Sequence, residues 1–211
     1  MDSLVSEKMR QLRNLERAGE RMGASAALDA QKSEAMLRVW DPFVRLFHWS
    51  LVAGMAAAWF TSSIRGELHQ WIGFVVAGLV IARVAWGLLA KGHARFASFV
   101  RSPATVVGYL ADILRGTERR HIGHNPAGGA MILALIIFVL GTCLTGWLMT
   151  TDTWYGDDAM QFIHSGFAYS VVALVVLHLA GVALASLRHG ENLPRAMITG
   201  MKRAPEGDDV A

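Results

Sequence analysis

The sequence predicts an all-α integral membrane protein, a four-helix transmembrane bundle, and three observations support this fold class. The chain of 211 residues is 53% hydrophobic and only 18% charged, which is too apolar for a water-soluble domain of this size. Its apolar residues fall into four runs, each near the ~20 residues that cross a bilayer as a helix. The stretches between these runs alternate between basic and acidic character, as expected for loops on opposite sides of a membrane.

The four runs are predicted to be membrane-spanning helices. They cover residues 44–62, 69–90, 127–149 and 162–187. The first is the shortest and is rich in alanine, whereas Pro42 and Pro126 stand where a first helical turn tolerates proline. Because the residues before position 38 contain no apolar core of the signal-peptide type, we expect no cleaved export signal there.

Three regions are expected along the chain. Residues 1–37 form a cytoplasmic N-terminal arm that is either helical or disordered, residues 38–195 form the four-helix domain, and residues 196–211 form a cytoplasmic tail. Within the second loop, residues 104–114 follow Pro103 and predict a short amphipathic helix at the membrane surface.

The distribution of lysine and arginine predicts the orientation. These residues are concentrated in the arm, in the 91–126 loop and in the tail, whereas the 150–161 loop contains three aspartates and no lysine or arginine. By the positive-inside rule, both termini and the 91–126 loop face the cytoplasm. The net charge of +3 then reflects topology and attraction to anionic lipid, and a nucleic-acid partner is not expected.

Two histidines on the fourth run, His164 and His178, carry the most information about function. Fourteen residues of α-helix rise about 21 Å and complete almost four turns, so both imidazoles project from nearly the same face at two membrane depths. Imidazole is an axial ligand of haem iron, and ionisable residues inside a membrane span indicate function. The alternative is that both rings only pack against neighbouring helices.

Two further histidines match these depths. His48 lies early in the first run, toward the cytoplasm, and His69 opens the second run at the outer side. Since the fourth run crosses from outside to inside, depth pairs His69 with His164 outside and His48 with His178 inside. The inner match is looser, with His48 about 6 Å and His178 about 13 Å inside their helix ends. A helix tilt of about 20° absorbs much of that difference.

Each pair can hold one haem iron, which predicts four metal ligands and two haem groups. Cys143 is the single cysteine and no Cys-x-x-Cys-His motif occurs, so both haems must be non-covalent and of the b type. Small residues near the histidines, Gly73, Ala168 and Gly181, would leave room for a porphyrin, although close helix packing also explains them. The remaining histidines are expected to be solvated or locally hydrogen-bonded; they are His93, His121, His124 and His189.

Arginines near the inner pair are candidate partners for the anionic haem propionates. Arg83 lies on the second run about seven residues from its inner end, where a charge must find a partner or extend to the surface. Arg45 and Arg188 are further candidates at the inner boundary. For Arg188, extension to the membrane surface is the alternative explanation.

Several motifs together resemble a known family. They are VWDPFVRLFHW at 39–49, LHQWIGFVVAGLVIARVAWG at 68–87, GHNPAGGAM at 123–131, TGW at 145–147 and the pair His164 and His178. Spread over residues 38 to about 195, they resemble the bacterial cytochrome b561 group, which includes the di-haem cytochrome b subunits of Ni/Fe hydrogenases. The resemblance implies a four-helix bundle with two bis-histidine b haems. The ligands that it implies fall on the same four histidines that membrane depth arranges in pairs. It implies nothing about the arm.

The resemblance also implies a bacterial inner-membrane location, quinone as a substrate, and a periplasmic or membrane redox partner such as a cytochrome c or a dehydrogenase or hydrogenase subunit. Two irons about 20 Å apart could carry electrons across the membrane, and filled axial positions leave no site for oxygen. The leading hypothesis is therefore an electron-transfer subunit of a respiratory chain, linking the quinone pool to a partner protein, with no catalytic residues of its own.

Two alternatives remain open at this point. Some relatives oxidise superoxide and reduce ubiquinone, which would need a cationic entry at the outer haem edge, where Arg65 is the only basic residue. The acidic 150–161 loop argues against that activity. The second alternative is a haem-free transporter or anchor in which the histidines serve as polar contacts between helices.

Overall fold

The computed structural model describes residues 13–14, 17, 19–23, 36–63, 66–207 and 209–210. Most of the predicted N-terminal arm and Arg65 therefore lie outside the described residues. The helices are Pro42–Thr61 (α1), Glu67–Leu89 (α2), Phe96–Phe99 (α3), Pro103–Arg115 (α4), Pro126–Leu148 (α5), Asp158–His189 (α6) and Leu193–Thr199 (α7). Two short strands, Met36–Arg38 (β1) and Met201–Arg203 (β2), pair antiparallel.

The long helices begin where the sequence supplies an N-cap. Asp41 accepts a hydrogen bond from the Val44 amide at 2.9 Å, and Asn125 accepts one from the Gly128 amide at 2.7 Å. Each cap is followed by a proline at the first helical position, where the missing N–H costs nothing. Asp157 caps α6 by accepting a hydrogen bond from the Met160 amide. This helix therefore starts four residues before its apolar run does.

Four helices among the described residues, α1, α2, α5 and α6, are long and apolar enough to cross a membrane. The predicted all-α four-helix membrane bundle is thereby confirmed. The valines at positions 76, 80, 139 and 171 form the buried centre of this bundle. The outward faces expose large apolar side chains such as Phe60 and Phe162, as expected for surfaces that contact lipid.

The bundle has two different ends. The turn end contains the short connections around residues 62–66 and 149–157 and carries no further helix or strand among the described residues. The tail end contains α3, α4, α7 and the β1–β2 pair. The amphipathic helix expected at 104–114 is confirmed there as α4, which Ser102 caps and Gly116 ends.

The folded unit extends beyond the predicted 38–195 domain. Residues 196–211, expected as a simple tail, contain the end of α7 and all of β2, and β2 pairs with the last residues of the predicted arm. We define the tail clasp as the buried ionic cluster of Arg120, Glu191, Lys202 and Asp209. Arg120 binds both carboxylates, and Lys202 lies 3.2 Å from Glu191. The clasp fixes the C-terminal segment against the bundle.

Candidate functional site: two histidine pairs

At the turn end, the structure brings His69 and His164 face to edge. His69 lies in the first turn of α2 and His164 in the second turn of α6. Their ring centres are 6.4 Å apart and their planes are 86° apart. Both side chains are half-buried.

This separation fits one metal ion between the two rings. An imidazole nitrogen bonds a transition metal at about 2 Å and the ring centre lies about 1 Å further back, so two rings on opposite sides of one metal have centres about 6 Å apart. The described residues contain no group of three or more His, Cys, Asp or Glu side chains able to hold a metal ion.

Nδ1 of each ring lies within hydrogen-bond distance of a protein oxygen, so the other ring nitrogen, Nε2, is the one available to a metal. His69 Nδ1 lies 3.0 Å from the Ala58 carbonyl oxygen, which can only accept, and 3.4 Å from Thr61 Oγ1. His164 Nδ1 lies 3.1 Å from Thr145 Oγ1. His69 Nδ1 therefore donates, and its Nε2 keeps the lone pair that a metal needs. A donor role for His164 Nδ1 would leave its Nε2 available in the same way.

Two residues of this site, Thr145 and Gly146, were not among the predicted site residues. Thr145 supplies the oxygen behind His164, and a Cβ atom at Gly146 would lie only 3.0 Å from His164 Cε1. Glycine at this position lets the imidazole lie directly against α5. Both belong to the TGW motif at 145–147, and an antiparallel α5–α6 hairpin places this motif at the depth of His164.

At the tail end, His48 on α1 and His178 on α6 are both half-buried and lie close enough to interact electrostatically. The His48 ring lies edge-on to Trp49, with ring centres 5.2 Å apart. His48 Nδ1 is buried and has no hydrogen-bond partner. This orphaned nitrogen distinguishes the tail-end pair from the turn-end pair.

Arg83 is almost fully buried, with 3% of its surface exposed. It does not extend to the surface: Nη2 donates to the Ala94 carbonyl at 3.3 Å, and the guanidinium lies over the Phe96 ring at 5.0 Å. Its Nη1 is buried without a hydrogen-bond partner. A buried guanidinium with an unused donor favours an anion close by.

The other two candidate arginines are held differently. Arg45 donates from Nη1 to the Ile198 carbonyl at the end of α7, while its buried Nε lacks a partner. Arg188 forms an ion pair with Glu118 at 2.7 Å and donates to the Ile113 carbonyl at 2.7 Å. Arg188 is therefore committed to α4 and the segment after it, so Arg45 and Arg83 are the two of the three candidate arginines that have buried donors without a partner.

Space beside the histidines agrees with the expected room for a flat ligand. A Cβ atom added at Gly73 or at Gly181 would meet nothing within 4 Å. Gly73 follows His69 by one helical turn, and Gly181 follows His178 by nearly one turn. Together with the 6.4 Å ring separation and the orphaned His48 Nδ1, these openings fit porphyrins held between histidines.

Two of the remaining histidines, His121 and His124, contact other residues of the tail end. His121 Nδ1 donates to the Arg119 carbonyl at 3.0 Å, and His124 packs between Trp40 and Phe99 with ring centres 4.6 and 4.7 Å away. Burial lowers the pKa of His121, which keeps its ring neutral near pH 7. The side chain of His93 lies outside the described residues.

A bundle of four membrane-length helices with paired histidines at two depths defines a class, the helical membrane cytochromes. The family model described as Prokaryotic cytochrome b561 matches residues 39–200. The chain therefore belongs to the prokaryotic cytochrome b561 family, which confirms the resemblance seen in its motifs. No curated protein and no solved structure matches the chain. The family carries electrons across membranes with b haem, so family membership disfavours the haem-free transporter or anchor.

Proposed function

We propose that this chain transfers electrons through two b haems and links the quinone pool to a redox partner protein of a respiratory chain. His69 and His164 hold the turn-end haem, and His48 and His178 hold the tail-end haem. The observation that carries the proposal is the turn-end geometry, with ring centres 6.4 Å apart and both Nδ1 atoms already hydrogen-bonded. Bound haem supplies a one-electron carrier whose potential depends on its axial ligands and surroundings.

The paired histidines would also exclude competing chemistry. Two imidazoles on each iron would leave no position open for oxygen or another small ligand, which favours electron transfer over oxygen activation. The protein also fixes the distance between the sites, because His164 and His178 lie on one helix. Their separation of about 21 Å along α6 spans much of the ~30 Å hydrocarbon core, so the two sites serve opposite membrane faces.

Arg83 and Arg45 are proposed to bind the propionates of the tail-end haem. Each has a buried donor without a protein partner, Nη1 in Arg83 and Nε in Arg45. Buried cationic donors are costly when unpaired, and a carboxylate satisfies them with charge-assisted hydrogen bonds. Arg45 is three residues before His48 on α1, which places it one turn closer to the tail-end surface.

The charge distribution supports a bacterial inner-membrane protein with both termini in the cytoplasm. Arg95, Arg101 and Arg195 are exposed at the tail end, whereas Asp152 and Asp158 are exposed at the turn end, whose 149–157 connection contains no lysine or arginine. The turn end would then face the periplasm. A periplasmic cytochrome c or a membrane-bound dehydrogenase or hydrogenase subunit is the proposed partner at that face.

Superoxide:quinone oxidoreductase is the less favoured function. It requires a positive field at the turn-end haem edge to attract an anion. Arg65, the one basic residue expected there, lies outside the described residues. The exposed aspartates of the turn end would repel superoxide.

Haem content and spectra of the detergent-solubilised protein test the proposal. The difference spectrum of dithionite-reduced minus oxidised protein should show low-spin b-type bands, and pyridine haemochrome assays should give two haems per chain. His69→Ala and His48→Ala should each lose one haem, whereas the matched variant His121→Ala should keep both. A wild-type protein without haem, or two haems in both ligand variants, would refute the assignment.

Stopped-flow assays with quinol, superoxide and a reduced cytochrome c then distinguish an electron-transfer subunit from a superoxide:quinone oxidoreductase.

A further inference from the structure

Thr145 is buried in α5, with 7% of its surface exposed, and its hydroxyl group makes an unusual set of contacts. Its single hydrogen points toward the carbonyl oxygens of Gly141 and Thr142, at 2.8 and 3.0 Å. A hydroxyl oxygen bonded in this way retains lone pairs. The atom that meets those lone pairs is His164 Nδ1, at 3.1 Å.

We propose that Thr145 is a positioning residue that sets the tautomer, the ring orientation and the electron-donating strength of His164 in the turn-end site. This inference rests on the proposed function, because it assumes that His164 binds haem iron. A histidine that donates Nδ1–H to an acceptor presents Nε2 to the metal and becomes a more basic ligand. A more basic ligand stabilises the ferric state and lowers the midpoint potential.

The neighbouring residues restrict the His164 ring further. The Thr142 carbonyl also interacts with the ring, and Gly146 lets the imidazole lie against the α5 backbone. Rotation of the ring away from Thr145 would give up both the hydrogen bond and this close packing. Thr145 and Gly146 thus restrict the orientation of the ring and with it the direction in which Nε2 points.

The effect of Thr145 should be confined to one haem. At the tail end, His48 Nδ1 is buried and has no hydrogen-bond partner, so that ligand lacks an equivalent oxygen. Thr145 lies on the part of α5 that ends at the turn end, and His178 is fourteen residues along α6 from His164. A change in both haems would therefore indicate a general structural effect.

The chain offers closely matched variants for this test. Thr145→Val keeps the shape of the side chain but removes the acceptor oxygen, and Thr145→Ser keeps the oxygen. Thr142→Val removes a hydroxyl three residues away that bonds only the Phe138 carbonyl, at 2.8 Å, and it leaves the Thr142 carbonyl in place. All three are purified with their haems and examined by redox titration and by low-temperature EPR of the oxidised form.

In Thr145→Val, we expect two haems per chain, a higher midpoint potential for one haem and a shifted low-spin EPR signal for the same haem. Thr145→Ser and Thr142→Val should match the wild type. If the Val variant does not accumulate with its haems, Thr145→Ala is measured in the same way. An unchanged or lowered potential, equal shifts in both haems, or the same shift in Thr142→Val would overturn the inference. A wild type without haem would refute the proposed function instead.

Discussion

The two histidine sites differ in what lies behind their ligands. At the turn end, protein oxygens of Ala58 and Thr145 lie within hydrogen-bond distance of the two Nδ1 atoms, so the fold itself orients both rings. At the tail end, His48, Arg45 and Arg83 each bury a polar atom that has no partner. Unsatisfied buried donors carry a large free-energy cost, so a bound anion that accepts from the two arginines would stabilise the tail-end site. Under the proposed function, the turn-end site is organised by the fold and the tail-end site by its cofactor.

The tail-end site also depends on distant parts of the chain. Arg45 is held by the Ile198 carbonyl of α7, and α7 is in turn fixed by β2 and the tail clasp. The clasp joins segments that lie about 70 to 90 positions apart in sequence, for example Arg120 with Glu191 and with Asp209. The turn-end ligands depend only on residues of the α1–α2 and α5–α6 hairpins. Disturbance of the C-terminal segment should therefore affect one site and spare the other.

The largest effect is expected from replacing either histidine of α6, because each replacement should remove the haem of one site only. His164→Ala should abolish the turn-end haem and keep the tail-end haem, and His178→Ala should do the reverse. Each variant removes one of the two imidazoles that an iron needs, while α6 keeps a good helix-forming residue. Haem quantification and EPR of the oxidised proteins check this prediction. If either variant lost both haems, the sites would be mutually dependent and the comparison above would fail.

Breaking the tail clasp should have the next largest effect. Arg120→Met leaves the carboxylates of Glu191 and Asp209 buried without their main partner, which costs about 3 kcal/mol or more. Thermal denaturation followed through the haem spectra should show earlier loss of the tail-end haem. The matched control Arg115→Met removes only an exposed contact with Asp112, at 3.8 Å, and should change little. Equal loss of both haems in Arg120→Met would contradict the proposed independence of the turn end.

Acid should release the same clasp. Burial alone would raise the pKa of Glu191, but hydrogen bonds from Arg120 and Lys202 hold it below its ordinary value. Against the same effect of burial, the Glu206 amide and Arg120 lower the pKa of Asp209. Groups with lowered folded-state pKa values stabilise the fold above the ordinary carboxyl pKa of about 4, and that stability is lost as the pH falls further.

The protection factors of the β2 amides, which are exchange rates corrected for the intrinsic effect of pH, should therefore fall below about pH 4, since protonated carboxyl groups no longer bind Arg120 as ions. Glu191→Gln should show lower protection factors already at pH 7 and a weaker dependence on acid. The amides of α5 serve as the internal reference, because no clasp residue lies on that helix. Protection factors at β2 that stayed the same between pH 7 and pH 3 would show that the clasp does not secure the strand.

Much of the bundle could be predicted because the length of an apolar run is read directly from consecutive residues. The four apolar runs coincide with α1, α2, α5 and α6 to within a few residues at most ends. The exception is α6, which begins four residues before its apolar run. Asp157 caps that helix, and its polar first turn carries no hydropathy signal. Helix length in a membrane is thus predicted well, and the polar extensions beyond the membrane are not.

The residues that hydrogen-bond the histidines could not be predicted as easily. Paired depths along antiparallel helices predicted four histidine ligands, but a threonine in an apolar helix is ordinarily explained by close packing. The tail clasp left no sequence signal either, because its charges come from separate segments and each resembles a solvated surface residue. Its members are brought together by the fold of the C-terminal segment, in which the Val210 amide donates to the Arg120 carbonyl at 2.8 Å, and the predicted tail did not include this contact.

Gly146 offers a smaller and more local test of the turn-end site. In Gly146→Val, the new side chain would meet His164 Cε1, since even a Cβ atom would lie 3.0 Å away. The ring must then shift by a few tenths of an ångström, which should alter the EPR signal of the turn-end haem alone. Gly78→Val is the control, because a Cβ atom there meets nothing within 4 Å and Gly78 faces away from His69. A shift in the tail-end signal would count against this assignment.

The smallest expected effect concerns the other turn-end ligand. His69 Nδ1 lies 3.0 Å from the Ala58 carbonyl but 3.4 Å from Thr61 Oγ1, so the carbonyl is the main acceptor. Thr61→Val should therefore change the midpoint potential of the turn-end haem much less than Thr145→Val does. A backbone acceptor cannot be removed by a side-chain substitution, which makes His69 the more robust ligand of the pair. Equal shifts in the two variants, measured in the same redox titration, would instead assign the two threonines equivalent roles.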